Sequence, residues 1–267
     1  MKFSQETLGS SRPSPPTTIM LERDTAYLLL RKSFRDDDSR TGYLGIGKYE
    51  ITADPGLKQK FFQLAEVLSS RPLPSPRPGR HQNVIRYDFE LGGVDHSGVY
   101  DLSLGSEFNA RLRPFAEIRD ELLSRGSPVI GLHPKLQAEA SPGAITILLT
   151  IINTGRTPLE LVGPSGWGRA DEGSQATVTV GITSLDGADW LYDLDEEHLV
   201  DDRDKYAKVI SIHPDQSVRL KFRYPVEERG RLAGKYSVAA RMSAIILAPS
   251  EFQGVIETGL DSGTLVY

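Results

Sequence analysis

The hydrophobic pattern of the chain peaks between Ala144 and Gly155, which reads Ala-Ile-Thr-Ile-Leu-Leu-Thr-Ile-Ile-Asn-Thr-Gly. Ile145, Ile147, Leu149 and Ile151 alternate onto one face. Leu148 and Ile152 share the other with Thr146 and Thr150, so the run predicts a strand with both faces at least partly covered. The β-branched residues argue against a helix, and so do the turn residues at each end: a Ser-Pro-Gly before the run and Asn153-Thr-Gly155 after it.

On either side of this strand the pattern changes. Upstream, Thr17 to Glu22, Ala26 to Ser33 and Tyr43 to Thr52 predict three strands. Asp54-Pro55 then starts a helix whose Leu57, Phe61, Leu64 and Leu68 recur at helical spacing. Val84 to Leu91 and Gly98 to Leu104 form a hairpin, and a second helix places Phe115, Ile118 and Leu122 on one face before Gly126 stops it. Downstream, short β runs are punctuated by Gly, Pro and Asp/Asn turns: Lys135 to Ala140, Pro158 to Val162, Ala176 to Ile182, Lys208 to Ile212, Ser217 to Tyr224, Gly234 to Ala244, and Gly254 to Val266 with a break at Asp261-Ser-Gly. The expectation is an α+β N-terminal domain over 19–127, an antiparallel sheet with two helices, followed by an all-β sandwich over 128–267. Ser127-Pro128 is the expected connector, and residues 1–18, Ser/Pro-rich from Gly9 onward, read as a flexible tether.

Pro142-Gly143, the alternating apolar run into Asn153-Thr-Gly155, and Pro158-Leu-Glu-Leu161 resemble the opening strands of bacterial immunoglobulin-like domains of exported proteins. Leu232-Ala-Gly-Lys-Tyr236-Ser-Val238-Ala is similar to the late strand of such domains. The resemblance covers roughly 134–267 and implies an immunoglobulin-like fold and an exported life. Domains of this kind serve as spacers, adhesion modules or protein-binding modules, so it implies no activity. The cysteine pair and core tryptophan of antibody domains are missing.

Composition narrows the functional classes. With 39% hydrophobic and 25% charged residues the chain is globular, and no apolar run reaches the ~20 residues of a transmembrane helix. There is no cysteine, which excludes disulfides, thiolate metal sites and a cysteine nucleophile while leaving the compartment open: periplasmic or envelope-associated if a signal was removed, cytoplasmic otherwise. Residues 1–127 carry a net +1 and residues 128–267 a net −6, so neither half is a nucleic-acid platform.

No cofactor is expected. Gly45-Ile-Gly47 begins a dinucleotide fingerprint but meets Glu50 at its third glycine and continues as a strand. Asp95-His96-Ser97 has triad residue types but sits in one turn, where three consecutive residues cannot form a relay. The proline-rich stretch Arg71 to His81 misses the PxxP register and reads as a stiff loop.

The most unusual composition lies between Asp186 and Asp204, with nine acidic residues in nineteen positions around Trp190 and Tyr192. Asp193, Asp195, Glu197, Asp201 and Asp204 fall on positions of a calcium loop, but its glycine is replaced by His198 and its closing glutamate by an aspartate, so no metal is assigned. Bulky aromatics among carboxylates suit recognition of a basic protein. The candidate partner-binding residues are Trp190, Tyr192, Asp193, Asp195, Glu196, Glu197, Asp201 and Asp202, together with Trp167 in the Gly163 to Gly173 loop, for which capping the core is the other reading. The function expected is non-enzymatic protein binding, in the manner of an inhibitor or immunity protein. A carboxylate-dependent hydrolase and a structural envelope domain are the alternatives.

Overall fold

A computed structural model of the chain describes residues 1–8, 15–33, 46–70, 82–102, 110, 112–141, 143–169, 174–184, 189–201, 203–225 and 235–266. Strand outweighs helix by 59% to 19%, in two large antiparallel sheets with three α-helices among the described residues. This corrects the expected fold class: an α+β domain followed by an immunoglobulin-like sandwich is not what forms. One reason is local. Ser127-Pro128, the expected connector, instead opens a 15-residue strand directly after the second helix is capped at Gly126. The chain divides into two compact units, one of residues 1–32 and 47–129 and the other of 33–46 and 130–267.

In the first unit, β1 (Lys2–Leu8) pairs with β2 (Thr17–Glu22) on one side and β5 (Gln82–Leu91) on the other. The ladder extends from β2 to β3 (Thr25–Leu30) and β4 (Ile46–Thr52), and from β5 to β6 (Val94–Asp101). Residues 1–18 are therefore not a tether where they are described. Phe3 and Ser4 are buried in β1, and Thr17 and Thr18 are buried at the start of β2. Ser4 Oγ and Thr18 Oγ1 lie 2.8 Å apart, so burial of these hydroxyls leaves them hydrogen-bonded. Gly9 to Ser14, the charged run Arg35 to Arg40 and the stretch Arg71 to His81 lie outside the described residues.

The helix α1 (Pro55–Ser69) begins where the local chemistry favours it, with Asp54 Oδ1 accepting the Leu57 N–H at 2.8 Å and Pro55 supplying a fixed φ. Its buried stripe is Leu57, Phe61, Leu64, Ala65 and Leu68. The second helix, α2 (Arg113–Arg125), buries Phe115, Ile118 and Leu122. Lys60 Nζ meets Glu121 Oε2 at 2.8 Å, and Arg125 pairs with both Glu121 and Asp54, tying the two helices together by charge. Phe3 lies 5.5 Å from Phe89 and 6.3 Å from Phe61, joining sheet to helix. The β5–β6 hairpin turns on Gly92 and Gly93, both at positive φ (60° and 77°), which a two-residue turn of the right twist requires.

In the second unit, β7 (Ser127–Ser141), β8 (Ala144–Asn153) and β13 (Ser217–Pro225) run side by side with β8 in the middle. Ile145, Ile147, Leu149 and Ile151 of β8 are fully buried and its alternate residues half-buried, as the sequence pattern requires. The six-stranded sheet has the order β11 (Asp189–Asp193), β10 (Thr177–Ser184), β14 (Lys235–Ala248), β9 (Leu159–Val162), β12 (Val209–Ile212), with β15 (Gly254–Val266) also on β14. A third helix, α3 (Arg203–Tyr206), precedes β12. The break expected at Asp261 is a register shift: Val238 faces Gly263 and Ala239 faces Asp261 without interrupting β15.

Asn153 ties these two groups of strands together. From the end of β8 its Nδ2 donates to the Ile212 carbonyl of β12 at 3.0 Å and to the Thr157 carbonyl at 2.8 Å, while its Oδ1 accepts the Gly155 N–H. Gly155 has no room for a side chain, since a Cβ there would lie 2.4 Å from the Gly131 nitrogen.

Candidate protein-binding surface

The acidic and aromatic segment is built on β11, which stands at the end of its sheet and pairs, among the described residues, with β10 alone. Strand alternation decides where its side chains go. Trp190 lies opposite Ile182 and Tyr192 opposite Val180, on the face where those β10 residues are fully buried. Both aromatics are accordingly half-buried: Trp190 meets Tyr236 edge-on at 5.7 Å, and Tyr192 packs on Tyr224 of β13 at 5.0 Å. Leu191, opposite Gly181, takes the outer face and is 76% exposed.

Beyond β11 the chain crosses to β13. Leu194 and Leu199 are buried, and residues 198–200 lie along β13, where the Val200 N–H donates to the Lys221 carbonyl and the Arg223 N–H to the His198 carbonyl. Asp195 shapes this passage, its Oδ1 accepting the His198 backbone N–H at 3.0 Å and facing His198 Nδ1 at 2.8 Å. The imidazole lies on the Tyr224 ring, and Tyr224 Oη donates to the Asp193 carbonyl at 2.7 Å. Burial, then the nearby Asp195 carboxylate, holds the Tyr224 phenol protonated far above its ordinary range. Burial also raises Tyr192.

Of the residues expected to bind a partner, Tyr192, Asp193, Asp195 and Glu196 gather around this passage. Asp193 Oδ1 accepts from Thr179 Oγ1 at 2.6 Å, and Glu196 faces Arg203 at 3.5 Å. Glu197 and Asp201 are exposed, while Asp202 lies outside the described residues. Trp167 is elsewhere, and its inclusion among the binding residues is corrected. It is 6% exposed, its Nε1 donates to the Val162 carbonyl at 2.9 Å, and its ring stands 6.1 Å from Phe222. An indole buried with its N–H satisfied is a core residue.

His198 and Asp195 form a pair, but no serine or threonine hydroxyl is hydrogen-bonded to His198 among the described residues, so the pair shapes a loop and does not complete a relay. Among the described residues no group of three His, Asp or Glu side chains is arranged to hold a metal ion. No described helix is long and apolar enough to cross a membrane. Sequence reasoning missed Leu191 and His198. Leu191 was readable from alternation, because one face of a strand cannot hold Trp190, Leu191 and Tyr192 together.

No protein-family model matches the chain, and no curated protein matches it. Among solved structures it is similar to the putative ApaA protein from Bordetella pertussis, at 11% identity and a TM-score of 0.34 over 52% of this chain and 96% of that one. It is also similar to the secreted serine protease VesC from Vibrio cholerae, at 11% identity and a TM-score of 0.28 over 97% of this chain and 68% of that one. Likenesses at these scores carry no argument about fold or function.

Proposed function

We propose that the chain is a non-enzymatic protein-binding protein whose second unit presents β11 and the passage after it to a partner with a basic surface. An inhibitor or immunity protein that occludes an effector is one concrete form of this reading. The observation that supports it best is Leu191, a large aliphatic side chain 76% exposed at the end of a sheet. Residues 189–204 around it carry eight carboxylates and one arginine. An apolar anchor within a charged rim is how protein interfaces combine affinity with steering.

The test is an affinity capture from the source cells with the whole chain, beside Leu191→Asp and a variant with Asp193, Asp195, Glu196 and Glu197 changed to their amides. The expected result is a stoichiometric partner held by the native chain at low salt and lost from both variants, whose thermal unfolding stays unchanged. If no partner is captured, or if both variants hold it equally, this reading is wrong.

A further inference from the structure

We infer that the partner docks by β-strand addition: an extended segment of its chain pairs with the edge of β11 that no described strand covers, placing an aliphatic residue opposite Leu191 and a lysine or arginine opposite Asp193. This deepens the binding reading above and rests on it.

The register of β11 shows which backbone groups are available. The Leu194 N–H donates to the Val178 carbonyl at 2.8 Å, and Leu194 continues the register in which Tyr192 faces Val180 and Trp190 faces Ile182. In an antiparallel ladder, alternate residues turn both backbone groups to the partner strand and the residues between them turn both away. Trp190, Tyr192 and Leu194 therefore bond to β10, whereas Leu191 and Asp193 point their backbone groups outward. The Asp193 carbonyl is taken by Tyr224 Oη. That leaves the N–H and C=O of Leu191 and the N–H of Asp193 facing a new strand.

Of the other edges in this unit two are partly covered, while β12, like β11, ends its sheet with no described strand beyond it. Residues 198–200 cover β13, with Leu199 bridging Phe222, and the Ser33 N–H donates to the Glu257 carbonyl of β15. Natural edges are blunted by lysine, proline, bulges or a covering segment. β11 is short, five residues, and carries the charge of Asp193, but among the described residues it has no lysine, proline, bulge or covering segment, and it adds an exposed leucine. Charge selects the occupant. A second copy would bring one acidic edge against another, which like charges oppose, whereas a basic strand is attracted to Asp193 and to the carboxylates that follow it. Side chains of the incoming strand that alternate inward meet the rims of Trp190 and Tyr192, so they too should be apolar. The recognised pattern is a basic residue, then aliphatic residues, then a basic residue, in an extended segment.

The probe is a synthetic Lys-Val-Ile-Val-Lys peptide titrated into the full chain at low salt and followed by calorimetry and amide chemical shifts. Saturable binding is expected, with shifts centred on Leu191 and Asp193. Leu191→Pro removes the outward N–H while leaving the β10 ladder intact, and should weaken binding about fivefold or more, the worth of one lost hydrogen bond. Leu191→Ser keeps the edge and should bind more tightly than Leu191→Pro. A peptide N-methylated at its central isoleucine gives the same answer without altering the protein, and should not bind. Equal binding by native chain and Leu191→Pro, or by methylated and unmethylated peptide, overturns strand addition, as does no binding at all. If the cellular partner is still captured in that case, the binding reading stands and only its geometry fails. A native chain that sediments as a dimer and becomes monomeric on Leu191→Pro identifies a second copy as the occupant and also overturns the inference.

Discussion

His198 lies flat on Tyr224, ring centroids 4.1 Å apart and planes 17° from parallel, while the Tyr224 hydroxyl reaches past it to the Asp193 carbonyl. This contact fastens the chain leaving β11 to β13, so the acidic passage is a fixed part of the second unit.

Tyr224 should therefore divide its contribution into two measurable parts. Tyr224→Phe keeps the ring and leaves the Asp193 carbonyl without its donor, costing about 1 kcal/mol. Tyr224→Ala also removes the ring from between Tyr192 and His198, and should cost about 3–4 kcal/mol. Urea unfolding of both variants checks the difference. Equal losses would mean that the ring packing contributes nothing.

Asn153 makes its hydrogen bonds while 1% exposed. Asn153→Ala leaves the Ile212 and Thr157 carbonyls and the Gly155 N–H without their side-chain partner, and is expected to destabilise the protein by about 3 kcal/mol in the same assay. A loss below about 1 kcal/mol would show that solvent replaces the amide readily, contrary to the buried geometry.

The two tryptophans can be told apart by light. With Trp190 changed to phenylalanine, the remaining Trp167 fluorescence should be blue-shifted and resist acrylamide, because the ring is buried against Phe222. With Trp167 changed to phenylalanine, the half-buried Trp190 should be quenched more readily. Trp167→Ala should cost about 3–5 kcal/mol, as expected for a core indole.

His133 gives the second unit a pH dependence. Burial, and secondarily Lys135, lowers the pKa of this imidazole in the folded chain below its ordinary value. As pH falls below about 6.5, the unfolded chain takes up a proton that the folded one still refuses. The stability contributed by neutral His133 is thus fully present above that pH and is lost as pH drops toward the folded pKa. Thermal unfolding between pH 7 and 5 should show a smaller decline in His133→Gln than in the native chain.

Much of the local structure was legible because its causes are local. Asp54-Pro55 and Gly126 mark helix ends through backbone chemistry, and the Ile145–Ile151 alternation identifies β8 whatever surrounds it. The chain divides between Val129 and Ile130, close to the expected connector, but the place of β1 was not legible. β1 carries few apolar residues and is held by ladders to β2 and β5, whose partners stand 14 residues away for Ser4 and Thr18 and further still for Arg86. Hydropathy does not record pairing. The immunoglobulin-like reading failed for a related reason: Ser127-Pro128 has turn composition, but in the folded chain Ser127 begins β7. At the surface, the acidic and aromatic composition singled out the segment around β11 but did not say which of its side chains turn outward. Trp190 and Tyr192 face the interior, and the outward residue between them is Leu191.

The passage along β13 makes residues 198–200 a seam as well as part of a surface. A partner on β11, as proposed above, would reach that seam through Tyr224, which holds the Asp193 carbonyl and lies under His198. Occupancy by such a partner should then be recorded away from the contact itself, as slower amide exchange at Val200 and Arg223 and as fewer protease cuts nearby.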